Sequence, residues 1–367
     1  GALDAAADAL RAHPAAPATA PEPLAVHHLS HAMLHGVRGG YDDGYAAARL
    51  ALDAARQVPG PHGQGLLARS YALQATNLGL SGRLTEAREA GDHALAPAEA
   101  YGDPTLLGTV LSTLRENARR HGRLREAVES GERALDLADR SGNPTAASFE
   151  RLNLAELHLL LEEFDDATAR AEASVALAEG DGAWCLPYAL ATLALVRLRT
   201  GDTSAAADLL DRAAPAADHL GDRQARYEVS AARAELALRT GHPEAALRAL
   251  ADCPDDAPAL TAWAQLRAGR PEAALELATA EAARAERTGE RLAEVEAHLA
   301  HAAALSHLAS PQAATHALTR ATDLAQSLPY PAGLRRATEV RALLNAPSVN
   351  QAPAAFEQRG PGRSPET

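Results

Sequence analysis

The side chains best suited to recognition chemistry recur at the spacing of a repeat. Phe149, Tyr188 and Tyr227 follow one another at steps of 39 and 39 residues. Such an aromatic ladder stacks on an extended peptide or a planar ligand at small entropic cost; packing onto a neighbouring helix explains the same spacing. Asn153 lies one helical turn beyond Phe149, Thr192 holds the equivalent place one unit later, and Asn77 and Asn117 sit one turn nearer their own turns. An amide both donates and accepts, which suits it to hold a peptide backbone, although exposed polar surface is the plainer account. Arg120, Arg199, Arg239 and Arg267 each stand two residues before a turn glycine. They either make a groove receptive to a carboxylate or phosphate or complement the dipole and unbonded carbonyls at a helix end.

Other chemistries find less support. His27, His31 and His35 share one helical face with His28 beside them, and two imidazoles at i and i+4 can chelate a transition metal. No Cys or acidic partner completes that site and a solvated face accounts for it, so no metal and no other cofactor is expected. Cys185 and Cys253 are 68 positions apart and belong to no CxxC, which disfavours a disulfide framework or zinc knuckle and fits a reducing cytoplasm. The chain contains no Lys, excluding the P-loop lysine, Schiff-base catalysis and the kinase lysine. No nucleophile motif appears, so binding rather than catalysis is expected. The missing Lys and Ile both have AT-rich codons, the mark of a GC-rich bacterial genome. A net charge of -13 argues against gripping a phosphate backbone. No apolar run approaches the roughly 18–20 residues of a membrane span.

The elements that must position these residues are helices in pairs. Gly82-Arg-Leu-Thr-Glu-Ala87, Gly122-Arg-Leu-Arg-Glu-Ala127, Glu162-Glu-Phe-Asp-Asp-Ala167 and Gly201-Asp-Thr-Ser-Ala-Ala206 align without gaps at steps of 40, 40 and 39. Gly40 precedes the series, Gly241 and Gly269 continue it, and Ala309-Ser310-Pro311 is a degenerate copy; the step of 28 from Gly241 to Gly269 marks one shortened unit. A second marker falls half a unit away, at Gly102-Asp-Pro104, Gly142-Asn-Pro144, Gly221-Asp222 and Gly289-Glu290. Between markers the apolar residues keep helical spacing, as in Leu107, Val110, Leu111 and Leu114. Gly supplies left-handed C-caps, and Asp103-Pro104, Asn143-Pro144 and Ser310-Pro311 read as N-cap followed by Pro. With 47% hydrophobic residues but only 3% aromatic, the core must be Leu, Val and above all Ala. Eight pairs are expected between Leu24 and Leu328, with first helices near 24–38, 63–80, 104–120, 144–160, 184–199, 223–239, 256–267 and 290–308. A helix over Pro331–Asn345 would cap an array spanning 24–345. Residues 1–23 read as a short helix and Pro/Ala linker, 346–367 as a tail. A start at Gly1 and a Pro/Gly-rich end suggest a segment of a longer protein.

The second helix of each pair carries Ala, a residue four later, and Ala or Ser three beyond, in Ala87-Gly91-Ala94, Ala127-Gly131-Ala134, Ala167-Ala171-Ser174 and Ala273-Leu277-Ala280. With the preceding turn this resembles the tetratricopeptide repeat over roughly 24–328. The longer period and mostly aliphatic first helices resemble the sensory region of MalT-like and other large ATP-binding LuxR-family transcription regulators, and also the cargo-binding repeats of kinesin light chains. The resemblance implies an all-α, right-handed superhelix of about eight pairs. Its concave face would take a peptide, protein or small-molecule effector, with self-association a further mode. Asn153 matches the position at which peptide-binding repeats place a backbone-clamping Asn. Around units three to six the groove would use Asn117, Arg120, Phe149, Asn153, Tyr188, Thr192, Arg199, Tyr227 and Arg239. An ATPase module and a helix-turn-helix domain would lie elsewhere in such a regulator. The expected role is a non-catalytic sensory region of a cytoplasmic bacterial regulator; a peptide-binding scaffold and a regulatory part of an enzyme are the alternatives.

Overall fold

The computed structural model describes residues 2–13, 20–253 and 257–345, and every regular element in them is a helix. After α1 (Ala2–Ala12), eight antiparallel pairs follow. They are α2 (Pro21–Val37) with α3 (Tyr41–Ala55), α4 (Gly60–Leu80) with α5 (Leu84–Tyr101), α6 (Pro104–Arg120) with α7 (Leu124–Arg140), and α8 (Pro144–Leu160) with α9 (Phe164–Asp181). The array continues with α10 (Leu186–Thr200) and α11 (Thr203–Leu220), α12 (Arg223–Arg239) and α13 (Pro243–Leu250), α14 (Pro258–Arg267) and α15 (Pro271–Thr288), then α16 (Arg291–His307) and α17 (Pro311–Ser327). A last helix, α18 (Pro331–Asn345), packs on α16 and α17. The shortening expected from the 28-residue step is shared between α13, of 8 residues, and α14, of 10. Residues 21–23, read from sequence as linker, already belong to α2. Residues 14–19 of that linker and the tail 346–367 lie outside the described residues.

One local device sets all eight intra-pair turns. One or two residues after each first helix the backbone is left-handed, as at Gly82 (φ 80°), Gly122 (φ 75°) and Gly241 (φ 79°), and the next amide reaches back five residues to close the helix. These amides include Arg83 N to Leu78 O at 2.8 Å, Arg123 N to Ala118 O at 2.9 Å, Glu163 N to His158 O at 2.8 Å and Ser310 N to Leu305 O at 3.1 Å. Glu162 (φ 58°) and Ala309 (φ 53°) adopt the same conformation without being Gly. Between pairs, Asp103, Asn143 and Asp222 cap the following helix through their side chains, at 2.9, 3.0 and 3.0 Å. Ser310, expected to cap likewise, makes no side-chain cap, although Asp202 at the equivalent place of its own intra-pair turn caps Ala205 N at 2.9 Å.

The second helices bury small residues, with Ala87, Ala94, Ala127, Ala167 and Ala171 all at 0% exposure, so neighbouring backbones approach closely. In the seventh pair the register falls one residue later than expected: Ala274, Ala278 and Glu281 are buried, whereas Ala280 is exposed. Counting from Gly269 instead of from the nearest Ala places them correctly.

The array curls until its two halves meet. The Leu328 side chain lies within 2.9 Å of where a Cβ on Gly122 would stand, and Thr288 within 2.8 Å of one on Gly82. Arg120 Nη1 is 3.6 Å from Glu290 Oε1. Arg335 Nε of α18 donates to Glu162 Oε1 at 2.5 Å across 173 positions of sequence. The capping helix thus clasps the turn of the fourth pair, and the first helices surround a lumen.

The turn geometry has a measurable signature. A left-handed non-Gly residue costs about 1–2 kcal/mol, partly offset by the entropy of Gly. Ala309→Gly should therefore raise the unfolding free energy by roughly 0.5–1 kcal/mol in urea titrations. Gly122→Ala should lower it by more than about 1 kcal/mol, because the Cβ also meets Leu328. Equal midpoints for both variants and the parent would refute this account of the turns.

Candidate functional site

Two adjoining cavities occupy the lumen. The first, about 350 Å³, is lined by the first helices of pairs two to five and reaches Gln224 and Glu228 on α12. The second, about 530 Å³, continues from Glu228 past α10, α12 and α14 to α16 and α18. Asn117, Arg120, Phe149, Asn153 and Tyr188 line the first; Arg199, Tyr227, Arg239 and Arg267 line the second. Thr192 lines neither, but its Oγ1 donates to Glu156 Oε1 at 3.0 Å in the wall of the first.

Several of these residues are already engaged. Asn153 Nδ2 donates to the Phe149 carbonyl at 2.7 Å, and buried Asn117 donates to the Ala87 carbonyl at 3.2 Å. Asn77 is buried and donates to the Leu73 carbonyl at 2.9 Å. Arg120 Nη1 donates to Gly79 O at 3.1 Å and Arg239 Nη1 to Leu198 O at 3.0 Å. Each thus satisfies a last-turn carbonyl of the preceding pair, not of its own helix. Arg199 instead reaches forward to Glu235 Oε2 at 2.6 Å. Tyr188 donates its hydroxyl to Asp222, the cap of α12.

The aromatic ladder slips by one rung. Phe149 and Tyr188 stand thirteen residues before their left-handed turn residues, but Tyr227 stands fourteen before Gly241, and Glu228 takes the equivalent place. The aromatic that completes the cluster is Trp184, which sequence reasoning passed over. Its ring centroid lies 5.2 Å from Phe149 and 6.0 Å from Tyr188, and it is 48% exposed. In a chain with 3% aromatic residues, its place four before Tyr188 was the available signal. Arg115 packs under this group, its guanidinium carbon 5.7 Å from the Phe149 centroid.

Carboxylates form a ladder of their own, also overlooked. Glu116, Glu156 and Glu235 each stand six residues before a turn residue. Burial opposes ionisation of Glu116, but Arg119 at 2.7 Å and Arg120 at 2.9 Å outweigh it and hold this carboxyl far below its usual range. Glu156 lacks such a partner, and burial pushes its pKa up against the pull of Arg119. Burial, then the charge of Glu156, pushes Glu228 up to about 7; its one hydrogen bond comes from Gln224 Nε2 at 2.8 Å.

The histidines of α2 stack on one another, with centroids of His27 and His31 at 4.7 Å and of His31 and His35 at 6.2 Å. Burial and the neighbouring imidazoles depress His28 and His31. Among the described residues, the group with metal-ligand spacing is His158, Glu163 and Asp166. Both Glu163 oxygens already have partners there, Arg125 at 2.7 Å and His158 Nδ1 at 2.7 Å.

Paired antiparallel helices stacked around a lumen, each closed by the same turn, define a tetratricopeptide-type protein-binding repeat module. The chain belongs to the MalT-like TPR region family, whose model matches residues 28–334. Its fold is similar to that of a Rap protein complexed with competence and sporulation factor, at 11% identity and a TM-score of 0.58, covering 84% of this chain and 99% of that one. It is also similar to the Rap conjugation gene regulator of plasmid pLS20 in complex with the Phr* peptide, at 12% identity, a TM-score of 0.54 and coverage of 92% and 96%. A third similar structure is aspartyl phosphate phosphatase F from Bacillus subtilis, at 10% identity, a TM-score of 0.53 and coverage of 86% and 96%. At these identities the likeness is one of fold. No curated protein matches the sequence.

The raised Glu228 pKa makes stability pH-dependent with a defined sign. Below the ordinary carboxylate pKa of 4.5 the group is protonated in both states and costs nothing. Between 4.5 and about 7 the unfolded chain releases its proton while the fold retains it, so stability falls and then levels off. Glu228→Gln should therefore match the parent near pH 4.5 and exceed it at pH 8, by on the order of 1–3 kcal/mol in urea unfolding. A variant less stable than the parent at pH 8 would contradict this electrostatic picture.

Proposed function

We propose that this chain is the non-catalytic sensory module of a cytoplasmic bacterial transcription regulator, and that it binds a short peptide or other small effector in its lumen. The observation carrying the proposal is the closure of the array on itself, which turns an open groove into two joined cavities of about 350 and 530 Å³. That size suits a ligand largely withdrawn from water. Membership of the MalT-like TPR region family supports the regulatory role, and the two Rap structures of like fold, complexed with competence and sporulation factor and with the Phr* peptide, support a peptide as ligand. No helix among the described residues is long and apolar enough to cross a membrane.

A ligand filling the lumen prefers the closed array over any opened one. Its occupancy shifts that equilibrium by the difference of its two affinities. The clasp between Glu162 and Arg335 joins the fourth pair to the last helix, so closure couples the lumen to the carboxyl-terminal end of the array.

A scaffold role has its own supporting observation. Val26, Met33 and Val37 project from one face of α2 at 47%, 60% and 44% exposure, an apolar stripe suited to a protein partner. The two readings separate experimentally. Low-molecular-mass fractions of a bacterial extract, together with synthetic peptide pools, are screened for a rise in Tm. A lumen ligand present at 100 times its Kd adds about 2.7 kcal/mol, and the double variant Thr113→Trp/Ala231→Trp, which fills both cavities, should abolish the effect. Stabilisation undiminished in that variant, or none from any fraction, would reject the lumen reading. A protein partner lost with Met33→Asp but retained by Thr113→Trp/Ala231→Trp would favour the scaffold.

A further inference from the structure

Carboxylates lining the two cavities nearly all hold an arginine. Glu116 binds Arg119 and Arg120, Glu235 binds Arg199 at 2.6 Å, Glu281 binds Arg284 at 2.7 Å, Glu339 binds Arg335 at 2.6 Å, and Glu296 binds Arg336. Glu156 and Glu228 are the exceptions among the described residues. Each receives one hydrogen bond from a neutral donor, Thr192 Oγ1 at 3.0 Å and Gln224 Nε2 at 2.8 Å, and neither has an ion pair. They line the same cavity as Trp184 and Tyr188, and a tryptophan 48% exposed is an aromatic face without full cover.

Arg115 adds an independent sign. It also lines this cavity, is 2% exposed, and leaves its Nη1 without a hydrogen-bond partner although its Nε is bound to Glu150 at 3.1 Å. A buried donor left unsatisfied is costly and suits an acceptor supplied from outside, such as a peptide carbonyl. The local balance points the same way. With Arg115 paired to Glu150, the carboxyl groups of Glu116, Glu156 and Glu228 stand against the guanidiniums of Arg119 and Arg120, three acidic groups against two basic.

We infer that the smaller cavity is a seat for a cationic group, the guanidinium or ammonium of a basic residue in a short peptide, held by Glu156 and Glu228 and flanked by the rings of Trp184 and Tyr188. The inference rests on the proposal that the lumen is the ligand site. A cation entering there gains two charge-assisted hydrogen bonds and an aromatic face, and relieves the repulsion between two carboxylates. Ionisation of Glu228 in the empty protein is opposed first by burial and then by this repulsion. A ligand with an acidic group at that point meets the opposite balance and is excluded.

The test uses a pool of random pentapeptides incubated with the whole protein, separated by size exclusion and sequenced by mass spectrometry. Retained peptides should be enriched in Arg or Lys about tenfold over the pool, and the Glu156→Gln/Glu228→Gln double variant should lose that enrichment. Retained peptides without basic enrichment, or enrichment undiminished in the double variant, would overturn the cation seat while leaving peptide binding standing. A parallel arm with spermidine alone distinguishes the source of the cation. A Tm rise with spermidine that the double variant loses keeps the seat and assigns it to a polyamine. Neither retained peptide nor any response to spermidine overturns the inference and removes the peptide reading with it. The double variant's urea midpoint at pH 8, at or above the parent's, confirms that loss of binding is not loss of fold.

Discussion

Every first helix among the described residues runs into a left-handed residue followed by an amide that closes back five positions, and the rest of the architecture depends on that repeated turn. Because the turn is the same eight times, each first helix meets its second through the same backbone geometry. The small residues of the second helices let neighbouring pairs approach closely. Over eight pairs the stack brings Leu328 onto Gly122 and Arg335 onto Glu162. A solenoid is ordinarily stabilised by nearest neighbours alone; here contacts between distant pairs are added, and the apolar core that includes Leu124, Leu154 and Leu161 also takes in Val295, Leu299, Tyr330 and Val340.

Closure changes the electrostatics as much as the shape. Side chains that would face bulk water on an open arc are drawn into a lumen where ionisation must be compensated. Most of that compensation comes from arginine, the one long cation the chain possesses. Tyr330 shows the same logic at the core boundary: it is 2% exposed, donates its hydroxyl to Glu296 at 2.6 Å, and burial raises its pKa far above the usual phenol range. Glu296 in turn holds Arg336, so the last helix is anchored by a chain of polar contacts from core to lumen. The pairing gap at Glu156 and Glu228 stands out against this background.

Much of the architecture was legible because the turn imposes a local chemical requirement. A left-handed residue favours Gly, so Gly82, Gly122, Gly201 and Gly241 mark the period directly; Glu162 and Ala309 are read only by alignment with them. The same dependence on local signals explains the errors. Ala-rich second helices offer many equivalent registers, so the seventh pair was read one residue early, and Tyr227 was aligned by its ring when its distance from Gly241 puts Glu228 on that rung. Arginines at the ends of the first helices were visible as a ladder, but their engagement with carbonyls of the preceding pair depends on how pairs stack. The clasp between positions 162 and 335 was illegible, because a contact across 173 residues leaves no period in the sequence. Glu156 and Glu228 were hidden by ordinariness, since glutamate on a helix usually marks a solvated face.

Closure of the array is the claim on which the lumen, its charge pattern and the proposed ligand all rest, and a distance measurement tests it directly. Spin labels are placed through Asp166→Cys and Glu339→Cys, one turn beyond Glu162 and Arg335 on α9 and α18, in a protein whose Cys185 and Cys253 are replaced by Ala. Pulsed dipolar spectroscopy in solution should give one narrow distribution at the short end of the measurable range, and Arg335→Ala should broaden it. A long or broad distribution in the otherwise unaltered protein, indifferent to Arg335, would mean an open arc and contradict the account.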